Sequence, residues 1–199
     1  MTNADYFTFN VDNSLLLIGQ TGTGKSVLVD KYIERLIKSY TPDKLKFILL
    51  DMTGVDFDQL RENHQDYIQE DIKFDSGKGL DVLEVTAHHA EARANSTDKE
   101  PLLVLLIEEC DMAAVDLEHF DSLLIRINKV ASSANMKVVY STSRPAPDVV
   151  SRNLLESFDL ILAGTLTEAD YKNLGIKKPK EHPSYDFVVT QKNQNLLFD

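Results

Sequence analysis

Gly19-Gln20-Thr21-Gly22-Thr23-Gly24-Lys25-Ser26 carries the clearest chemistry in this chain, and it fits G-x-x-x-x-G-K-[ST] in full. The apolar run Leu15-Leu16-Leu17-Ile18 precedes it, and apolar residues at helical spacing follow. The pattern therefore falls between a strand and a helix, where it has physical meaning. Glycines let a loop turn backbone N–H groups onto phosphate oxygens with no Cβ in the way. A helix opening at Lys25 and running on through Val27 adds the positive end of its dipole. Lys25 is placed to reach the β- and γ-phosphates, and the Ser26 hydroxyl to ligand Mg2+. The expectation is a site for a nucleoside triphosphate, ATP with Mg2+, formed by Gly19 through Val27.

Hydrolysis needs a metal ligand and a group that orients water. Both are present in Leu105-Leu106-Ile107-Glu108-Glu109, at the end of the most apolar run in the chain. Glu108 is the candidate for Mg2+, directly or through water, and Glu109 the candidate for polarising the attacking water. A further strand ends Tyr140-Ser141-Thr142-Ser143-Arg144-Pro145. Placed between the phosphate loop and the acidic strand, it would let Thr142 or Ser143 touch the γ-phosphate. Glu109 argues against a P-loop kinase, and the chain has no Asn-Lys-x-Asp guanine reader of a GTPase.

The elements that must hold these groups are legible as strands alternating with helices. Strands are expected at 15–18, 46–51, 102–107, 137–142, 159–163 and 185–190. Helices are expected from the phosphate loop to Ile37, over 79–95 and over 117–134. Thr41-Pro42-Asp43 ends the first of these helices. The polar stretch 53–75 is expected to hold a short helix around Phe57 to Arg61 and one short strand. This order specifies an α/β fold with a mostly parallel central sheet and helices on both faces.

The 199 residues suit a single domain, 1–199, with no internal repeat or linker. Cys110 is the only cysteine, which excludes an intrachain disulfide. No run approaches the ~20 apolar residues of a bilayer span, and the N-terminus lacks a signal-peptide pattern, so a cytoplasmic protein, or a soluble domain of a longer chain, without direct membrane insertion is expected. A net charge of −11 works against a monomer coating nucleic acid with its whole surface. It leaves room for a ring that presents a few basic groups locally. Lys177, Lys178 and Lys180 form the one dense basic cluster and read as a solvated loop. His88 and His89 are adjacent on a helix, about 100° apart, and do not share a metal easily. Tyr6, Phe7 and Phe9 are candidates either for sheet-edge packing or for stacking on a nucleotide base.

Several segments in order resemble the FtsK/SpoIIIE group of P-loop motor ATPases: the phosphate loop with VLVDKYIERLI, TPDKLKFILLD, LLVLLIEECDMA and KVVYSTSRPAPDVV. The match runs from about Asn13 to Gly175, and Ser143-Arg144-Pro145 with Asp148-Val149-Val150 is its most family-specific part. The resemblance implies a RecA-like core, a hexameric ring and ATP-driven movement of double-stranded DNA, although relatives drive conjugation or protein secretion. It implies that Lys25 and Ser26 contact phosphate and Mg2+, Glu108 the metal, Glu109 the water and Ser143 the γ-phosphate side.

The chain departs from the family pattern at specific positions. Glu108 stands in place of Asp, Ser143 in place of Gln, Ser132 and Asp159 in place of Arg, and Asp51-Met52-Thr53 in place of Asp-Pro-Lys. Arg126, Arg144 and Arg152 remain as candidates for a cation supplied to a neighbouring subunit. The alternative expectation is an ATP-binding regulatory or assembly module of a secretion or conjugation ATPase, with weak hydrolysis.

Overall fold

The computed structural model describes residues 14–73, 75–108, 116–144, 146, 149–176, 178, 187–191 and 194–196. In chain order the elements are β1 (Leu15–Ile18), α1 (Lys25–Ser39), β2 (Leu45–Asp51), α2 (Asp58–Asn63), β3 (Ile68–Lys73), α3 (Ser76–Ala94), β4 (Leu102–Glu108) and α4 (Leu117–Val130). There follow β5 (Met136–Thr142), α5 (Arg152–Ser157), β6 (Leu160–Ala163), α6 (Glu168–Leu174), β7 (Val188–Gln191) and β8 (Gln194–Leu196). They build one sheet in the order β3-β2-β4-β5-β1-β6-β7-β8. From β3 to β6 every pairing is parallel; β7 and β8 add antiparallel strands at one edge.

Strand alternation sorts the apolar side chains into two cores. Leu15, Leu17, Phe47, Leu49, Val104, Leu106 and Val139 meet Leu28, Val29, Ile33 and Leu36 of α1 on one face. On the other, Leu16, Ile18, Ile48, Leu50, Leu105, Ile107, Val138 and Tyr140 meet α3, α4, α5 and α6. Burial on both sides explains why Leu102–Ile107 shows no polar alternation. The rings of Phe120 and Tyr140 meet edge-on at 5.7 Å in the second core, an arrangement favoured by the aromatic quadrupole.

The expected α/β architecture is present, with refinements at the element ends. Helix α3 begins at Ser76 rather than Gly79 because the Asp75 carboxylate caps it, accepting from the Lys78 N–H. Helix α4 stops at Val130 rather than Ala134, and the chain turns through Asn135, whose φ of 53° suits an asparagine. Helices α5 and α6 are too short to show periodicity, yet each has a cap. Ser151 accepts from the Leu154 N–H, and Thr167 with Asp170 forms a capping box. The last expected strand is β7 at Val188–Gln191, with β8 following; positions 185 and 186 lie outside the described residues.

Candidate functional site

Strand order puts the phosphate loop at the C-terminal end of β1, with β5 between it and the acidic strand β4. That is the arrangement in which Thr142 and Ser143 flank the loop. The loop is pinned on both sides: Gly19 N–H donates to the Thr142 carbonyl at 3.3 Å, and Gln20 N–H to the Thr165 carbonyl at 3.1 Å. Thr23 is wedged between Gly19 and Gly164. A Cβ on Gly19 would lie 2.6 Å from Thr23 Oγ1, so that position requires glycine for close approach. Gly24, the residue before α1, has φ 93° and caps the helix with no side-chain hydrogen bond. The first-turn amides of a helix point out of its start, so Lys25 to Val27 face whatever the loop holds.

Lys25 is 6% exposed and its Nζ donates to the Gly19 carbonyl at 2.8 Å, folded across the inside of its own loop. Around it lies a cavity of about 640 Å³, within the range of ligand sites. Its wall takes Thr21, Gly22 and Ser26 from the loop region, Thr53, Val55 and Asp56 from the β2–α2 connection, and Thr142, Ser143 and Arg144 from the end of β5. Val27 also lines it and is otherwise exposed. Of the sequence-predicted residues, Thr21, Gly22, Gly24 to Val27 and Ser143 thus share one cavity wall. Gly19, Gln20 and Thr23 form the loop's base.

Glu108 is buried, 1% exposed, and registers with Asp51 on β2 and Ser141 on β5. By strand alternation with Val104 and Leu106, its side chain leaves the sheet on the α1 face, the side of the phosphate loop. Ser141 registers in turn with Leu17 on the same face, and its buried Oγ has no hydrogen-bond partner among the described residues. Asp51, Glu108 and Ser141 therefore make a polar row beneath the helix that opens at Lys25. Glu109 lies outside the described residues, as do Cys110, Pro145 and Asp148, the aromatic set Tyr6, Phe7 and Phe9, and Lys177 and Lys180.

The β2–α2 connection is a polar stretch without periodicity, and Asp51 organises it. This carboxylate, 0% exposed, accepts from the N–H groups of Thr53, Gly54 and Asp56 at 3.1, 2.7 and 3.2 Å, and from Thr53 Oγ1 at 2.9 Å. Arg61 closes the other side, 2.9 Å from Asp51 and 2.8 Å from Asp71 of β3. The turn so fixed delivers Asp56 to Ser26, whose hydroxyl donates to Asp56 Oδ1 at 3.3 Å. Asp30, one turn further along α1, has its carboxyl pushed above the usual range by burial, with Glu34 and Asp56 adding to the effect. Nothing in the spacing of Asp56 singles it out; only the turn brings it to the loop. Ser141 had a signal, since its parity matches that of Glu108 across the pairing of β4 and β5.

The donors gathered here, a hydroxyl and carboxylates, are hard oxygens suited to Mg2+. Among the described residues no three His, Cys, Asp or Glu are placed to hold a metal ion.

The model of the FtsK/SpoIIIE family matches residues 2–137. The chain belongs to the FtsK/SpoIIIE family. A curated relative, the DNA translocase FtsK of Streptococcus pyogenes serotype M3 (strain SSI-1), is 25% identical over 174 residues, covering 75% of this chain and 22% of the relative. The chain thus spans about a fifth of the length of the curated relatives it matches. Among solved structures it is similar to EssC (ATPases 2 and 3) from Geobacillus thermodenitrificans, with TM-score 0.74 at 15% identity, covering 92% of this chain and 38% of that one. It is also similar to the cytoplasmic domain of the Thermomonospora curvata Type VII secretion ATPase EccC, with TM-score 0.71 at 20% identity, covering 94% and 23%. These likenesses establish the α/β RecA-like P-loop fold.

Within this FtsK/SpoIIIE chain the positions that depart from the family pattern have definite surroundings. Asp159 accepts from both the N–H and the hydroxyl of Ser14 at 3.1 and 3.0 Å, tying the start of β6 to the start of β1. Ser132 is exposed in the turn after α4. Arg126 is held by Glu91 of α3 through two hydrogen bonds of 2.9 Å, which draw the Glu91 carboxyl below its ordinary range. Arg152 lies beside Glu156 on the exposed side of α5, at 2.8 Å. Arg144 alone of the three expected cations lines the phosphate-loop cavity. His88 Nδ1 is 2.9 Å from the Glu84 carbonyl, a local helix contact. Among the described residues no helix is long and apolar enough to cross a membrane.

Proposed function

We propose that this chain, read as one P-loop domain over 1–199, binds ATP with Mg2+ and hydrolyses it as a motor-type module of an FtsK/SpoIIIE machine that moves DNA. The observation that carries the reading is the cavity around Lys25, bounded by the phosphate loop on one side and the end of β5 on the other, with Glu108 on the same sheet face. In the proposed reaction Lys25 exchanges its contact with the Gly19 carbonyl for the β- and γ-phosphates. The loop and first-turn amides bind the remaining phosphate oxygens. Ser26 and Glu108 hold Mg2+, which supplies positive charge against the phosphates when bound. Glu109 accepts the proton of the attacking water, and Thr142 and Ser143 contact the γ-phosphate side. Arg144 stands at the same wall and supplies a cation from within the subunit, where the family pattern's Arg positions are Ser132 and Asp159.

The DNA part of the reading rests on the family and on the FtsK relatives, and it requires a ring, since a net charge of −11 disfavours binding by an isolated subunit. The second reading, an ATP-binding module of a secretion or conjugation ATPase with weak hydrolysis, is favoured by Arg126. Its guanidinium is committed to Glu91 within the chain, and Asp159 serves the β1–β6 junction.

Steady-state ATP hydrolysis with and without duplex DNA, alongside oligomeric mass, separates the two. The motor reading expects activity that rises with protein concentration and with DNA in a species of ring mass. ATP binding without turnover under any condition would establish the regulatory module instead. DNA-independent turnover by a monomer would point to a stand-alone enzyme.

A further inference from the structure

The phosphate loop of this chain meets a carboxylate that no part of the G-x-x-x-x-G-K-[ST] pattern supplies. Asp56 lines the cavity and accepts the hydrogen bond of the Ser26 hydroxyl at 3.3 Å. Its position is not an accident of a loose loop. Asp51, fully buried, takes hydrogen bonds from three successive parts of the turn, among them the Asp56 N–H. Thr53 Oγ1 bridges the carboxylates of Asp51 and Asp56. Arg61 anchors the whole assembly between Asp51 and Asp71, while Lys73 reaches the Gly54 carbonyl at 3.2 Å. A fixed negative charge is thus presented at the hydroxyl placed to ligand a metal in the ATP reading.

We propose that Asp56 makes nucleotide binding conditional on Mg2+. The inference rests on the nucleotide reading of the cavity. A metal-free triphosphate or diphosphate brings several negative charges into the cavity against the half-buried Asp56, and at that close range like charges repel even where water reaches them. With Mg2+ present, Ser26 would hold the cation, and the added positive charge would offset the phosphate charge that Asp56 faces. Asp56 thereby acts as a positioning and selecting residue: it holds the Ser26 hydroxyl and discriminates the metal complex from the free nucleotide. Lys25 neutralises phosphate equally in both cases and provides no such discrimination.

The test is equilibrium binding of a fluorescent ADP analogue, measured in excess Mg2+ and in EDTA, so no turnover is read. Wild type should bind at least tenfold more tightly with Mg2+. Asp56→Asn, which keeps the shape and removes the charge, should bind the metal-free nucleotide about tenfold more tightly than wild type and narrow the Mg2+ preference by the same factor. Asp56→Glu should restore the preference, and Asp58→Asn, an exposed acid paired with Arg61 and Lys73, should leave it as in wild type. An unchanged metal-free affinity in a folded Asp56→Asn protein overturns the proposal, including the case in which only Mg2+-dependent affinity falls and Asp56 is a simple metal ligand. Absence of binding by wild type in both buffers would instead overturn the nucleotide reading itself.

Discussion

The phosphate-loop end of the sheet and the outer face built from α3, α4 and α5 treat their charged residues in opposite ways. At the loop end, Lys25, Ser26, Asp56 and Arg144 converge on one cavity. On the outer face, Arg126 is answered by Glu91, Arg152 by Glu156, and Asn128 by Ser157 at 2.9 Å, each within the chain. The difference teaches where chemistry is concentrated. Groups at the loop end are held by backbone turns and aimed at a shared space. Those on the outer face serve contacts within a helix, as for Arg152 and Glu156, or between helices, as for Arg126 and Glu91, which a neighbouring subunit would have to break before using them.

Lys25→Ala is the severest way to test the loop side of that contrast. Truncating a buried charged contact to phosphate should lower ATP affinity about 100-fold or more while the fold survives, because the loop lies at the mouth of the sheet. Calorimetry giving unchanged affinity in a folded variant would remove the phosphate-loop reading. Glu109→Gln should leave ATP binding intact and reduce turnover about 100-fold, measured as single-turnover hydrolysis; equal rates would assign the water to another residue. In the same assay Glu108→Gln should weaken the dependence on Mg2+ concentration.

The outer and structural side predicts smaller effects, read as stability. Asp159→Ala removes the acceptor of two hydrogen bonds from Ser14 and should cost about 2 kcal/mol in urea unfolding. Cost near zero would mean that the β1–β6 junction does not depend on this contact. Arg126→Ala breaks a partly exposed pair with Glu91 and should cost less than about 1 kcal/mol, diminishing with salt. Its ATPase activity in a ring should equal that of wild type. A large loss confined to mixed rings would show that Arg126 leaves Glu91 for a neighbour, and would erase the contrast between the two regions.

The sequence by itself determined the phosphate loop, the alternation of strands and helices, and the acid at the end of the most apolar strand. These are local patterns: a glycine spacing that only a tight loop needs, and apolar runs whose period and length distinguish buried strands from amphipathic helices. It also carried the family, because the segments around Lys25, Glu108 and Ser143 keep their order and spacing. The sequence could not assign Asp51 its task, since its hydrogen-bond partners lie in a polar turn without periodicity and its cation, Arg61, sits on a helix of six residues. Nor could it place Asp56 on Ser26 or Asp159 on Ser14, pairs separated by 30 and 145 positions. The β1–β6 pairing and the β2–α2 turn decided those contacts, because the distances between side chains far apart in sequence are fixed only when the sheet closes them.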